Sequence, residues 1–354
     1  INFMVLFMGL NQMVNQERIH LKVEILLIKL NICKMKEKRI LILGGTGALG
    51  KTLIKKYNKD NIILVFSRDE HKHVNLQNSS LHNSNMNYMI GDVKDRDSVR
   101  TSIDDFKPNI IINTAALKHV PICESNAFES VKVNIIGHQN VIDAVKRSNH
   151  KIETLIFVST DKACKPINIY GMCKAISERL YIDFANKQTD VKTCLVRYGN
   201  VLESTGSVIP FFKGLLEKGS KTLPITHKDM TRFLLSLDQA TELIDWTYNH
   251  NSSHGKIAIP KIKSFLITDI AKSLIKSYGL ENKVELEMVG VRPGEKLHEE
   301  MISYEEWLKT EDSDTNYLIT DNVINSKMHS YNSKDSLMNF KEADKFLKET
   351  SVIN

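Results

Sequence analysis

The apolar run at residues 40–43 breaks directly into Gly44-Gly45-Thr46-Gly47-Ala48-Leu49-Gly50, and residues 51–57 then read as a helix. A strand that ends in a glycine triplet before a helix has few ways to fold. Glycines at 44, 47 and 50 permit a tight turn, close approach of backbone to a pyrophosphate, and close packing of helix on strand. The helix start adds unpaired N–H groups and a partial positive charge that suit phosphate. A glycine triplet alone is a weak signal, because many such runs are plain turns. Strand, triplet and helix within a β-α-β unit make a dinucleotide cradle, with Gly44, Thr46, Gly47, Ala48, Leu49 and Gly50 as its contacts.

The alternation continues. The strand at 62–66 ends at Ser67-Arg68-Asp69, where an NAD site usually places a carboxylate for the ribose hydroxyls. Ser67 and Arg68, with Lys72 close by, suit the extra 2′-phosphate of NADP instead. Asp69 is still within reach of a ribose, so NAD stays open as the alternative. Residues 88–90 lead to Gly91-Asp92-Val93, placed to border an adenine, and 109–113 lead to the small residues Thr114-Ala115-Ala116. Lys118, His119 and Pro121 follow in a loop, and 131–146 reads as helix. A lone His119 is more often a packed or surface side chain than a ligand, and no second histidine stands at metal spacing. Four β-α repeats before residue 160 predict an α/β fold with a doubly wound parallel sheet.

Residues 155–158 form a further apolar run, the pattern of a strand buried on both faces, and Ser159-Thr160-Asp161-Lys162 begins where that strand ends. The carboxyl edge of a parallel sheet is where open α/β folds bind ligands. Tyr170 and Lys174, four apart, share one face of the next helix. A lysine held beside a tyrosine lowers the phenol's pKa and makes it a general base at neutral pH. Asp161 and Lys162 supply a second acid/base pair just upstream. The plainer reading is a solvated loop before an ordinary helix, and Tyr-x-x-x-Lys by itself is weak. Behind a buried strand, with a second proton-transfer pair, it is a candidate catalytic centre.

At 354 residues the chain can bury a large core. Its net charge of +6 permits phosphorylated ligands, but Lys and Arg are scattered, so nucleic acid is not expected. Cys33, Cys123, Cys164, Cys173 and Cys194 form neither a CxxC pair nor a zinc pattern, which suits a reducing, cytoplasmic setting. Residues 1–34 begin with Ile1 and carry apolar patches at 3–10 and 23–30, both shorter than the ~20 residues of a membrane span. They lack a secretory cleavage pattern, and Met35 opens the coherent part of the chain, so 1–34 is expected to be an extension. Residues 35–200 are expected to bind the dinucleotide, with segments around 233–260 returning to that domain, and 201–354 to hold the substrate. From Gly206 the regular β-α pattern gives way to polar loops, with clusters at 224–226, 230–233 and 291–296. Each reads as a solvated loop or, given arginines beside Pro and Gly turns, as a phosphate site. The last 45 residues are polar, with one helix expected at 340–348.

Six motifs carry a resemblance. They are Ala-Ala-Leu-Lys-His-Val-Pro at 115–121, Ser-Thr-Asp-Lys-Ala at 159–163, Pro-Ile-Asn-Ile-Tyr-Gly at 166–171, Arg-Tyr-Gly-Asn-Val at 197–201, Met-Thr-Arg-Phe at 230–233 and Arg-Pro-Gly-Glu-Lys-Leu-His-Glu at 292–299. With them the chain resembles the extended short-chain dehydrogenase/reductase superfamily, and within it the C-5-inverting UDP-N-acetylglucosamine 4,6-dehydratases. The likeness runs from about Met35 to about Met301. It implies a tightly held NADP contacted also by Asp92, Val93, Thr114, Ala115, Lys118, Tyr170, Lys174 and Val201. Tyr170, aided by Lys174, takes the proton of the sugar's 4-hydroxyl while Thr160 hydrogen-bonds it. Lys162 is the base at C-5 and Asp161 the acid for the departing 6-oxygen. Asn200, Thr226, Arg232, Arg292 and Glu295 grip the UDP-sugar; no metal is needed, and relatives form oligomers.

The family usually reads Gly-Ser-Arg-Gly-Ser where this chain has Glu203-Ser204-Thr205-Gly206-Ser207, which implies a weaker hold on the diphosphate with the chemistry intact. The rival enzymes are a nucleoside-diphosphate-glucose 4,6-dehydratase, which has Glu at the place of Lys162, and a 4-epimerase, which gives Asp161-Lys162 no task. A catalytically inert NADP-binding scaffold is the non-enzyme alternative, and such proteins tend to lose the tyrosine or the lysine.

Overall fold

Runs of β-branched and aliphatic residues set the centre of the molecule. Strands β1 (Arg39–Leu43), β2 (Ile62–Ser67), β3 (Met86–Ile90), β4 (Ile110–Asn113), β5 (Thr154–Val158) and β6 (Lys192–Val196) run parallel in the order β3-β2-β1-β4-β5-β6. The middle residues of β1, β2, β4, β5 and β6, among them Ile40–Leu43 and Leu155–Phe157, are buried, as a parallel sheet covered on both faces requires, while the edge strand β3 is partly exposed. Successive strands are added outward in opposite directions from β1 and from β4. The crevice at the carboxyl edge between them is the switch point at which such sheets bind ligands. The doubly wound fold predicted from the alternation is the fold observed.

The computed structural model describes residues 35–202 and 206–353, and Glu37–Asn354 form one unit. The expected extension 1–34 and the divergent residues 203–205 lie outside the described residues.

Side-chain caps start several of the helices. Asp95 accepts from the backbone of Asp97 and Ser98 to open Arg96–Phe106, and Asn168 accepts from Gly171 N at 2.8 Å to open Ile169–Lys187. The helix expected at 131–146 is interrupted: Ala127–Val131 and Gly137–Arg147 flank a π turn at Lys132–Ile136. That turn lets Asn134 face the loop after β4, where its amide grips Leu117 N at 3.0 Å and Leu117 O at 2.8 Å.

The sheet is larger than the sequence suggested. Ile257–Pro260 adds in parallel beside β6, and Asn316–Ile319 and Thr310–Asp312 extend it antiparallel to nine strands. The polar C-terminal stretch, expected to contribute only a helix, therefore also provides two sheet strands. They are too short for a period-2 signal, and their buried positions mix the polar Thr310 and Asn316 with the apolar Leu318 and Ile319. The expected helix is present as Phe340–Glu349. It packs on Ile267–Ser277 in a second core around Phe212, Phe265 and Leu347, together with Val208–Glu217. Two regular helices thus stand where the sequence read mainly as polar loops.

Candidate active site

The glycine run does at the switch point what its spacing requires. Gly44 has φ +81°, and a Cβ there would lie 2.8 Å from Thr114 Oγ1 and 2.9 Å from Ala115 N. A Cβ on Gly50 would lie 2.4 Å from Gly45 O, so only glycine lets the helix sit this close to the turn. Helix Ala48–Tyr57 starts at Gly47 without a side-chain cap or an acidic residue, leaving its first N–H groups for an anion. A cleft of about 630 Å³ opens here. All the expected dinucleotide contacts line it: Gly44, Thr46, Gly47, Ala48, Leu49, Gly50, Ser67, Arg68, Lys72, Asp92, Val93, Thr114, Ala115, Lys118, Tyr170, Lys174 and Val201.

At the far end of the cleft the polar residues sort themselves. Ser67 Oγ lies 2.8 Å from Thr46 Oγ1 and 2.9 Å from His73 Nε2. Asp69 is spent on the next helix, accepting from Lys72 N at 3.1 Å as its N-cap. Arg68 and Lys72 stay more than half exposed, with Asp92 Oδ2 at 3.9 Å from the first and Asp69 Oδ2 at 3.1 Å from the second.

Tyr170 and Lys174 enter the same cleft from helix Ile169–Lys187, but their electrostatics differ from the sequence expectation. Burial pushes the Tyr170 phenol up to about 12, against the pull of the Lys162 charge. Lys174 Nζ donates to Val158 O at 2.6 Å and lies 4.2 Å from the centre of the Phe157 ring. Burial lowers its ammonium to about 7. The expected lowering of the phenol by Lys174 is therefore absent, because desolvation, invisible to residue spacing, outweighs the neighbouring charge on both groups.

Asp161 and Lys162 form the pair that the sequence placed beside them. Lys162 Nζ donates to Asp161 Oδ1 at 3.0 Å and to Asn200 Oδ1 at 3.1 Å, and Thr160 Oγ1 donates to Asp161 Oδ1 at 2.9 Å. Thr160, Lys162 and Asn200 line the cleft, whereas Asp161 lies fully buried behind them. Burial raises the Asp161 carboxyl above its ordinary range, and its Oδ2 has no hydrogen-bond partner among the described residues.

The remaining substrate candidates form a ladder of charge that ends on Lys162. Arg292 Nε lies 3.2 Å from Glu295 Oε2, Glu295 Oε1 lies 3.7 Å from Arg232 Nη2, and Arg232 Nε lies 3.8 Å from Glu299 Oε1. Glu299 Oε1 in turn lies 3.6 Å from Lys162 Nζ. Arg292 is exposed and Arg232 buried. Thr226 is buried too, its hydroxyl 3.3 Å from Met230 Sδ, and neither it, Arg232, Arg292 nor Glu295 lines the cleft. Glu299 itself was not singled out from the sequence, although it closes the Arg-Pro-Gly-Glu-Lys-Leu-His-Glu motif.

A second buried network stands behind the turn at 159–162. Arg197 gives donors to Glu178, Glu306 and the carbonyl of Met301, and Ser159 Oγ donates to Glu178 Oε1 at 2.6 Å. Helix Ile169–Lys187, the end of β6 and the turn at Tyr304–Trp307 are thereby tied to Ser159.

Residues 40–321 match the family of polysaccharide biosynthesis proteins. The chain belongs to that family, within the extended short-chain dehydrogenases/reductases. The family resemblance drawn from the six motifs is thus confirmed. The chain is 43% identical over 296 residues to a Campylobacter jejuni protein named UDP-N-acetylglucosamine 4,6-dehydratase (inverting), covering 81% of this chain and 84% of the other. It is 37% identical over 286 residues to a Rickettsia prowazekii protein named UDP-glucose 4-epimerase, covering 78% and 81%. Among solved structures, Pen from Bacillus thuringiensis superposes with a TM-score of 0.82 at 30% identity, covering 91% of this chain and all of that one.

Proposed function

We propose that this protein dehydrates UDP-N-acetylglucosamine to a 4-keto-6-deoxy sugar nucleotide with inversion at C-5, using NADP. The observation that carries the reading is the Asp161–Lys162 pair at 3.0 Å, in which Lys162 lines the cleft with Tyr170 and Asp161 lies directly behind it. Oxidation at C-4 needs one base, but elimination across C-5 and C-6 needs a base and an acid more.

The cleft fits NADP by its glycine turn, by the uncapped helix start, and by exposed Arg68 and Lys72 at the strand end where Asp69 is engaged as a cap. Held by these residues, NADP would supply the hydride acceptor and donor that oxidation at C-4 and reduction at C-6 require. Tyr170, once its own phenol is ionised, takes the 4-hydroxyl proton, and Thr160 holds that hydroxyl. Lys162 takes the C-5 proton, made acidic by the new ketone. Asp161 is the acid for the departing 6-oxygen; burial raises its carboxyl above the ordinary range, the direction that role needs. Asn200 holds Lys162 at the cleft wall, and Arg292 and Glu295 present the outer rungs of the charge ladder to the nucleotide.

Exposed Phe128, Ile136, Met172 and Ile176 support an assembly of more than one copy, and buried, unbridged Cys123, Cys164, Cys173 and Cys194 support a cytoplasmic setting. No described helix is long and apolar enough to cross a membrane.

The name of the Rickettsia relative favours a second reading, a 4-epimerase. Incubation with UDP-N-acetylglucosamine separates the two. A 4-keto-6-deoxy product supports the dehydratase; a 4-epimer that keeps its 6-hydroxyl supports the alternative.

A further inference from the structure

Lys162 is held by more than its sequence neighbour. Its ammonium lies between Asp161 Oδ1 at 3.0 Å and Glu299 Oε1 at 3.6 Å. Glu299 is 2% exposed and comes from a segment remote in sequence. Its backbone is fixed from both sides, with its N–H donating to Ser333 Oγ at 2.8 Å and its carbonyl accepting from Ser333 N at 2.8 Å. Ser333 Oγ lies 2.6 Å from Thr231 Oγ1, next to Arg232.

The charges around this carboxylate come from three segments. Lys162 belongs to the catalytic turn, Arg232 to the strand Thr231–Leu235, and Lys296, at 3.9 Å, to the loop that carries Glu299. Tyr170 faces Lys162 from helix Ile169–Lys187. Asp161 also faces Lys162, and Glu295 Oε1 lies 3.7 Å from Arg232 Nη2, but Glu299 is the carboxylate that all three cations share. We propose that Glu299 is a positioning residue that aims Lys162 into the cleft and keeps it charged until the C-5 proton is due to move. The inference rests on the dehydratase reading, in which Lys162 is the base. The charge balance agrees with it. Glu299 is held below the ordinary carboxylate range despite burial, by Lys162 first and then Arg232 and Lys296. Lys162 is held above its ordinary value, also against burial, by Asp161 and Glu299.

The sign of the test follows. A carboxylate beside an amine favours the ammonium, and a base at C-5 must be the neutral amine. Glu299→Gln removes the carboxylate and leaves the positive charges of Arg232 and Lys296 less compensated, with Glu295 still facing Arg232, so the amine is freed at lower pH. The acid limb of the dehydration rate should move down by about 1–3 pH units, the effect of one charge within ~4–6 Å. The plateau should fall about 10–10²-fold through looser aim, with the KM for the sugar nucleotide little changed. Glu299→Asp, which keeps the charge but withdraws it, should shift the limb in the same direction by less, and it serves if Glu299→Gln does not fold.

The measurement is the pH profile of C-5 deuterium uptake from deuterium oxide in wild type and both variants, with thermal melting alongside. A limb moved down supports the inference. A lowered melting temperature with an unmoved limb overturns it and leaves Glu299 a structural residue. A wild type that takes up no deuterium at C-5 overturns the dehydratase reading and this inference together.

Discussion

Replacing Arg197 with leucine tests the frame on which the catalytic turn rests. Arg197 is 1% exposed. Its Nε donates to Glu178 Oε1 at 2.9 Å, its Nη1 to Met301 O and Glu306 Oε2 at 2.8 Å, and its Nη2 to Glu178 Oε2 at 2.6 Å and Glu306 Oε1 at 2.8 Å. Removing it leaves the buried carboxylate of Glu178 and the largely buried one of Glu306 without their shared cation. Breaking a buried pair in this way costs about 3–5 kcal/mol. A second route gives a similar figure. Burial alone would raise Glu306, but Arg197 outweighs it and brings the carboxyl from 4.5 to about 2. At ~1.4 kcal/mol per pH unit that shift corresponds to roughly 3 kcal/mol. Since the folded pKa is depressed, this stabilisation is full above about pH 4.5 and is lost as pH falls toward about 2. Urea unfolding at neutral pH should therefore show Arg197→Leu less stable by about 3–5 kcal/mol, a large share of the ~5–15 kcal/mol of a typical domain. The gap should narrow at about pH 3, inside the window where Glu306 protonates. Replacing Glu178 and Glu306 by apolar residues in the same variant should recover much of the loss. A loss below about 1 kcal/mol, or one equally large at both pH values, would refute the reasoning.

Three further outcomes are expected. Lys162→Ala should lower dehydration by about 10²–10⁴ while NADP still binds, because Lys162 lies outside the glycine turn; normal turnover removes it from the mechanism. Arg68→Ala should weaken NADP by about 10–10²-fold and NAD little, as the loss of one charged hydrogen bond of about 1.5–3 kcal/mol implies; titrations that show equal losses count against the 2′-phosphate assignment. The melting temperature of Arg68→Ala should stay near that of wild type, since that side chain is more than half exposed.

Much of this was legible from local pattern. Glycines 44, 47 and 50 mark the cradle because a turn and a close approach exclude side chains there. Tyr170 and Lys174 reach one cleft because a helix brings positions four apart together, and the buried run of β5 delivers Thr160 and Lys162 to the sheet edge. What escaped was long-range or depended on solvent. Glu299 reaches Lys162, and Glu306 reaches Arg197, only through the folding of the C-terminal half, which no periodicity encodes. The phenol of Tyr170 lies high rather than low because burial, not sequence spacing, sets its charge. The two added sheet strands are three and four residues long, below the reach of any alternation.

The most direct measurement is the fate of solvent hydrogen in the product. Elimination of the 6-hydroxyl requires loss of the C-5 proton, and the proton that returns exchanges with water through enzyme groups, whereas hydride at C-6 comes from the substrate's own C-4. Reaction in deuterium oxide with UDP-N-acetylglucosamine should place one deuterium at C-5, with inverted configuration, and none at C-6. A 4-keto-6-deoxy product with retained C-5 configuration would defeat the inverting assignment alone. Turnover with no label at C-5 would contradict the elimination and with it the role of Asp161 and Lys162.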